Sequence, residues 1–129
     1  MSGLAKTSGL IHEELSYSVI GCAQNVHRSL GPGFPERIYQ KALAHELVKR
    51  KIVFQSEAGF EVAYEGMICG QFRVDVLVDS KIILELKALD ALCKQHESQL
   101  LAYLKATGCP VGLLMNFGEQ SLKVKRFVM

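Results

Sequence analysis

The sequence predicts an α/β (α+β) fold in which one mixed β-sheet is flanked by helices. The first part of the chain has apolar residues at spacings of three and four, a pattern typical of amphipathic helices. The rest alternates turn residues with short runs rich in Val, Ile and Leu, which are typical of strands, and one further helical stretch divides these runs. Two helices, a set of strands, a helix and more strands favour a layered sandwich built on a single sheet.

Three helices are predicted, over residues 11–30, 35–51 and 92–107. Gly31 and the segment GCP end the first and the third, and the ring of Pro35 suits the first turn of the second. The apolar residues of the second helix that we expect to face inward are Ile38, Tyr39, Ala42, Leu43 and Leu47. One domain is predicted over residues 10–129, after a loose segment rich in Gly and Ser over residues 1–9.

The predicted strands come in pairs around turn residues. They are FEVAY and MICG around Glu65-Gly66, FRVDVLV and KIILELKAL around Asp79-Ser80, and VGLLMNF and LKVKRFV around Gly118. The first two pairs are hairpin signals, and the second pair contains charged residues within its apolar runs.

Composition and charge exclude several classes of protein. Of the 129 residues, 49% are hydrophobic and 22% are charged, which is ordinary for a globular domain. A net charge of +2 gives no bulk sign of nucleic-acid or membrane binding, so any such contact depends on a local patch. No run approaches the ~20 apolar residues of a membrane span, and the N-terminus lacks the apolar segment of a signal peptide. We expect a cytoplasmic protein without a membrane partner.

Cysteine chemistry is also disfavoured. The chain has Cys22, Cys69, Cys93 and Cys109, without a C-x-x-C pair. A zinc site would need close ligand pairs, and a secreted disulfide scaffold would be denser in cysteine, so we expect free thiols in a reducing compartment. No cysteine has a histidine at a recognisable spacing, which argues against a cysteine-dependent enzyme.

Three charged residues interrupt the most apolar strands, namely Asp75, Glu85 and Lys87. Alternate residues of a strand share a face, so Glu85 and Lys87 point the same way. If the two strands pair through the Asp79-Ser80 turn, Asp75 and Glu85 lie close across the ladder. Two neighbouring carboxylates repel each other unless a cation lies between them, and hard divalent ions such as Mg²⁺ take one or two carboxylates together with phosphate oxygens. The alternative is a structural ion pair between Asp75 and Lys87, with Glu85 facing solvent.

These residues and their surroundings resemble a known family. Asp75, nine further residues and Glu85-Leu86-Lys87 resemble the D-x(n)-E-x-K signature of the PD-(D/E)xK nuclease superfamily. GFPERIY resembles the G-x-x-E-x-x-Y motif of its small GxxExxY family, and FRVDVLVD, ILELKAL, HESQLLAYLKATG and GLLMNF are similar to the blocks that follow. The resemblance covers residues 10–129 and implies a restriction-endonuclease-like core.

The resemblance also implies roles. Asp75 and Glu85 would bind Mg²⁺ or Mn²⁺, Lys87 would be the catalytic lysine, and Glu36 would be an additional metal-binding acid. Gln99 and Tyr103 resemble the Q-x-x-x-Y motif of RecB-like nucleases, which lies beside the active site, and as catalytic-site residues they would position substrate or water. The Pro that often precedes the Asp is replaced by Val74, a common substitution in the superfamily.

Each supporting residue also has a plainer interpretation. Glu36 suits the positive end of a helix whether or not it binds metal. Gln99 and Tyr103 also fit a solvated helix face, and His96 fits a surface or outer position better than a ligand. Tyr39 fits the core, with its hydroxyl bonded to a site carboxylate.

The function predicted first is a metal-dependent phosphodiesterase, a nuclease acting on nucleic acid and on DNA before RNA. Its predicted nucleic-acid contacts are Arg73, Lys94, Lys123 and Lys125. No aromatic stacking series or DNA-reading motif is found, so sequence-specific recognition is not supported. Because little chain lies outside the core, we expect a homodimer or a partner protein that adds substrate contacts. The alternative is a non-catalytic nucleic-acid- or protein-binding module that retains the nuclease fold.

Overall fold

A computed structural model describes residues 11–129, and the predicted loose segment over residues 1–9 lies outside them. The described chain forms three helices and five strands. They are α1 (Glu13–Leu30), α2 (Glu36–Lys49), β1 (Phe54–Tyr64), β2 (Met67–Val78), β3 (Ile82–Lys87), α3 (Lys94–Thr107), β4 (Val111–Asn116) and β5 (Lys123–Val128).

The strands form one mixed sheet in the order β1-β2-β3-β4-β5. Every neighbouring pair is antiparallel except β3 and β4, which run parallel and are connected through α3. A parallel pair requires such a crossover, because a short turn can join only antiparallel strands. The predicted mixed sheet flanked by helices is therefore confirmed.

Helices cover both faces of the sheet. On one face, α1 and α2 contribute Val19, Cys22, Leu43 and Leu47 to a buried cluster that includes alternate residues of β3 and β4. On the other face, α3 contributes Leu100 and Leu104, which pack with Val74, Ile83 and Leu114. The central strands are thus apolar on both sides, as is typical of covered sheets. A charged side chain on one of these central strands is therefore buried, except where neighbouring strands diverge.

Both hairpin turns are confirmed. Glu65 and Gly66 join β1 to β2 with φ of 49° and 83°, the left-handed conformation that a two-residue hairpin loop favours. The β2–β3 turn is closed by a 2.8 Å bond from the Lys81 N–H to the Val78 C=O. MICG and FRVDVLV prove to be one continuous strand. Since β3 pairs only with Val76–Val78, the rest of the β1–β2 hairpin extends past β3 as a two-stranded ribbon.

Two details of α2 differ from the prediction. The helix ends at Lys49 rather than Lys51, which has a φ of 58°. Tyr39, Leu43 and Leu47 are fully buried, but Ile38 is 38% exposed. The inward stripe is therefore narrower than the apolar residues alone suggested.

Two further findings concern the cysteines and the possibility of a membrane-spanning helix. All four cysteines are free, as predicted. Within residues 11–129, no helix combines the length and the apolar character needed to cross a bilayer.

Candidate active site

The acid pair lies where β2 and β3 separate. Backbone pairing between these strands reaches Val76 and Leu84 and stops there. Beyond that point the Asp75 N–H donates to a Glu85 carboxylate oxygen at 3.1 Å, and the Leu86 N–H donates to an Asp75 carboxylate oxygen at 2.8 Å. Each carboxylate therefore takes the place of a backbone acceptor on the opposite strand. The prediction that the two acids lie close together is confirmed.

Burial perturbs both acids. Glu85 is only 5% exposed. Desolvation, followed by the negative charge of Asp75, raises its pKa to about 8. The pKa of Asp75 is also raised, mainly by desolvation and further by Glu57, against the opposing effects of the Leu86 N–H and Lys87. At neutral pH the pair therefore favours a bound proton or cation.

The structural ion-pair alternative is wrong on both counts. In the described chain, ion pairs within 4.0 Å join Glu46 to Lys49, Asp79 to Lys81, and Glu97 to Lys125, and none involves Asp75 or Lys87. Glu85, which that alternative placed in solvent, is buried.

Lys87 and two α3 residues border the acid pair. Lys87 is the half-buried last residue of β3, and its ammonium donates to the Gln99 carboxamide oxygen at 3.4 Å. One helical turn further, the Tyr103 ring stacks on Phe72 at a centroid distance of 4.4 Å. The pKa of Tyr103 is raised by burial and then by the charges of Glu85 and Asp75. Lys87 and Tyr103 are thus within range of the charges of the acid pair, and Gln99 contacts Lys87.

Glu36 approaches the site from the other layer, as the first residue of α2. Its pKa is raised, first by desolvation and then by the charge of Asp75, against the opposing effect of Lys87. The same side chain therefore lies in the positive first turn of the helix and within range of the charge of Asp75, so the two interpretations of Glu36 are compatible.

Sequence reasoning missed Gln40 and Glu57. The Gln40 carboxamide donates to the Glu57 carboxylate at 2.8 Å and to the Asp75 carbonyl at 3.1 Å, which ties β1 and β2 together beside the site. Glu57 has a φ of 54°, a conformation that costs a side chain about 1 kcal/mol or more. One signal for Gln40 was available, because it lies four residues after Glu36 and so shares its helix face.

The predicted nucleic-acid contacts are dispersed. Arg73 is exposed on β2, two residues before Asp75, and donates weakly to the Glu57 carbonyl at 3.5 Å. Lys94 is exposed at the start of α3, and Lys123 is exposed on β5. Lys125 forms an ion pair with Glu97 of α3, which offsets its charge. Of the four, Arg73 is nearest in the chain to the acid pair.

Tyr39 and Cys93 depart from their predictions. Tyr39 is buried as expected, but its hydroxyl donates to the Gly31 carbonyl at 2.6 Å and accepts from the Phe34 N–H, so a site carboxylate is not its partner. The Cys93 sulfur lies 3.5 Å from Nδ1 of His96, because the cap and third positions of a helix face each other. The prediction that no cysteine has a histidine at a recognisable spacing is therefore wrong, and His96 is a capping residue of α3.

The donor chemistry fits a hard divalent cation. Half-buried Asp75 and buried Glu85 present adjacent carboxylates, and no cationic side chain of residues 11–129 lies within ion-pair distance of them. Across residues 11–129, no three His, Cys, Asp or Glu side chains form a metal-binding group. A two-carboxylate site suits Mg²⁺, which commonly keeps water and phosphate oxygens as its other ligands.

Comparison with known proteins bears on the family and the fold. The sequence model of the PD-(D/E)XK nuclease superfamily matches residues 13–127. No curated protein matches the chain. A solved structure titled "Crystal structure of SSO0001" is 18% identical and superposes with a TM-score of 0.58 over 72% of this chain, which spans about half (50%) of that protein and supports the fold. On the family match, which includes both acids and Lys87, the chain belongs to the PD-(D/E)XK nuclease superfamily.

Proposed function

We propose that the protein is a metal-dependent phosphodiesterase that cleaves nucleic acid, with DNA as its first expected substrate, and that it belongs to the GxxExxY branch of its superfamily. The observation that carries this proposal is the convergence of Asp75, Glu85 and Lys87 at the point where β2 and β3 separate. Superfamily membership supports a nuclease, and G-x-x-E-x-x-Y at Gly33–Tyr39 supports the branch.

Each residue has a role in this mechanism. Asp75 and Glu85 would hold Mg²⁺ or Mn²⁺, with Glu36 as a further acid at its edge. A bound divalent ion would supply a Lewis acid for the phosphate and an acidified water. Lys87 places a cation beside the acids, where it can stabilise negative charge that develops on the phosphate. Its bond to the Gln99 carboxamide orients the ammonium.

The test begins with metal binding, measured by calorimetry with Mn²⁺ and Mg²⁺. The matched variants are Asp75→Asn and Glu85→Gln, because both keep an acceptor for the backbone N–H that the acid now binds. Binding should be lost in the double variant, and cleavage of single-stranded, duplex and branched DNA should be lost in both single variants. Unchanged cleavage in either folded variant would refute the mechanism.

A non-catalytic binding module is the second candidate. It is favoured by the lack of a three-ligand metal group in the described chain. In that case, labelled DNA would bind fully in EDTA and would stay intact when Mg²⁺ or Mn²⁺ is added.

We also propose that a second copy or a partner protein adds substrate contacts, because the predicted basic residues are dispersed over separate elements. Light scattering after size-exclusion chromatography should show a dimer for a self-associating chain. A 14.3 kDa species would rule out the homodimer and leave the partner protein.

A further inference from the structure

The tip of the β1–β2 ribbon projects from the sheet without cover. Every residue from 61 to 71 is exposed. At its root, the ribbon is held by α3, where the Tyr103 ring stacks on Phe72 at a centroid distance of 4.4 Å. A two-stranded hairpin alone is at best marginally stable in water, and it becomes stable when further strands or a helix pack on an apolar face. The tip therefore lacks the packing that the root has.

One face of the ribbon is apolar along its whole length. In β1, the alternate residues from Ala58 to Tyr64 share this face, because Ala58 and Phe60 pack on the cluster beneath α3. The residues opposite them in β2 lie on the same face, as far as Met67, which pairs with Tyr64 beyond a bulge in β2. We call this surface the apolar face; its large members are Ala58, Phe60, Val62, Tyr64, Met67, Phe72 and Val74.

The helix covers only the root of the apolar face. Ala58 and Val74 are buried there, whereas Val62, Tyr64 and Met67 towards the tip are 41%, 65% and 63% exposed. Since a large side chain buries about 150–250 Å² when it is covered, these three leave about 300 Å² of the face bare. A contiguous apolar patch of a few hundred Å² on a small protein marks an interaction site.

The charges of the ribbon favour a protein over nucleic acid as the occupant. Glu61 alternates with the residues of the apolar face, and Arg73 pairs with Gly59, so both charges lie on the opposite face. Glu65 lies in the turn. The apolar face thus offers no cation to a phosphate, although phosphate contacts supply most of the affinity for nucleic acid. It can be buried against another apolar surface without desolvating a charge.

The apolar face is complementary to a second copy of itself. Phe60 and Tyr64 each lie two residues from Val62 along β1. A two-fold axis at Val62 would therefore set the bare row of Tyr64 and Met67 over the half-buried Phe60 of the other copy. The ribbon of the second copy would continue the layer that α3 forms over the root. The charges on the opposite face would stay in water in both copies.

We infer that the protein forms a two-fold dimer through the apolar face of its ribbon. Specific, stable complexes bury about 800 Å² per partner, which is more than the bare part of this face, so the dimer is weak and concentration-dependent. The contact lies at the ribbon tip and involves neither Asp75 nor Glu85. It therefore goes beyond the proposed function and does not depend on cleavage.

The first test is sedimentation equilibrium over a wide range of protein concentration. The wild type should move from 14.3 kDa towards twice that mass as the concentration rises. Met67→Lys should weaken the dimer at least about 10-fold, because it places a charge within an apolar contact. Ile68→Lys is the matched control, since Ile68 is an exposed neighbour that pairs with Ala63 on the opposite face. A chain that stays at 14.3 kDa throughout, or equal weakening by both substitutions, would overturn the inference.

A cross-linking experiment tests the position of the axis. Cys69→Ser and Cys93→Ser first remove the two exposed thiols. In that background, Val62→Cys should be joined into dimers by a bismaleimide whose span matches the ~10 Å between packed sheets. Glu61→Cys, on the opposite face of the same strand, should stay monomeric. Equal cross-linking at the two positions would contradict a contact through the apolar face.

Other occupants and failure of the nuclease give different results. If nucleic acid covered the face, the wild type would stay monomeric and Met67→Lys would strengthen the binding of labelled DNA in EDTA, which would refute the dimer. Metal-dependent cleavage by a chain that is monomeric at every concentration would refute the dimer and leave the nuclease. A dimer that Met67→Lys dissociates, with no cleavage under any metal, would support the contact and refute the nuclease.

Discussion

Replacing Glu85 with glutamine is expected to remove a pH dependence of stability that the wild type has between about pH 5 and pH 8. In the folded, metal-free chain the pKa of Glu85 is raised to about 8 from an ordinary 4.5, mainly by burial. Between these values the folded state keeps a proton that the unfolded state releases. Because the folded state binds more protons, wild-type stability falls as the pH rises through this window.

The size of the effect follows from the same two values. One pH unit corresponds to about 1.4 kcal/mol, so the interval from 4.5 to about 8 sets an upper limit of about 5 kcal/mol. A loss of several kcal/mol is large against a total stability of about 5–15 kcal/mol. Glutamine has no proton to release here and still offers an oxygen to the Asp75 N–H, which bonds residue 85 at 3.1 Å.

The assay is urea unfolding in EDTA, followed by circular dichroism, at several pH values from about 5 to about 8. The wild type should lose stability relative to Glu85→Gln as the pH rises, and Glu14→Gln, at an exposed helical position, should follow the wild type. Parallel curves for wild type and Glu85→Gln would show that Glu85 is charged at neutral pH, and the argument from its burial would then be wrong.

Three further predictions concern other parts of the structure. Lys87→Met should lower the cleavage rate at least 100-fold, as is typical when a charge-stabilising group is lost. Mn²⁺ binding measured by calorimetry should persist in this variant, and its loss would contradict the role given to Lys87. Glu57→Gly should raise the urea midpoint, for a gain of about 0.5–1 kcal/mol, because glycine adopts the left-handed backbone conformation without strain. The same variant should lower the cleavage rate, because Gln40 loses its partner. An unchanged rate would exclude that bracing role. Tyr39→Phe should cost about 1–2 kcal/mol in urea unfolding, since the Gly31 carbonyl loses its bond, and an unaltered midpoint would show that water replaces it.

Local sequence patterns were sufficient to predict most of the fold. Helical spacing located α1, α2 and α3, and turn residues located both hairpins, because these signals depend on near neighbours in the chain. The exposure of Ile38 could not be read in this way. It lies one residue from buried Tyr39, about 100° around the helix, and only the position of the sheet decides which side of the apolar stripe is covered.

In the candidate site, too, only contacts between residues that are close in the sequence could be predicted. Asp75 and Glu85 were predicted to meet because a short turn joins their strands. The bond from Gln40 to the Asp75 carbonyl spans 35 positions, and the stacking of two aromatic rings beside the site joins β2 to α3, so neither contact could be predicted from neighbouring residues. The pairing of Cys93 with His96 is different, since a separation of three residues at the start of a helix is visible in the sequence.

The two acids also hold the fold together, which decides how the site must be tested. Asp75 accepts from the Leu86 N–H and Glu85 accepts from the Asp75 N–H, in place of backbone pairing between β2 and β3. Replacement by alanine would leave these N–H groups without partners, at a cost of about 1–3 kcal/mol each. An inactive alanine variant would therefore not distinguish lost chemistry from a loosened strand junction. Asparagine and glutamine keep the acceptor and remove the charge, so only the amide variants separate metal binding from the support that the same side chains give to the sheet.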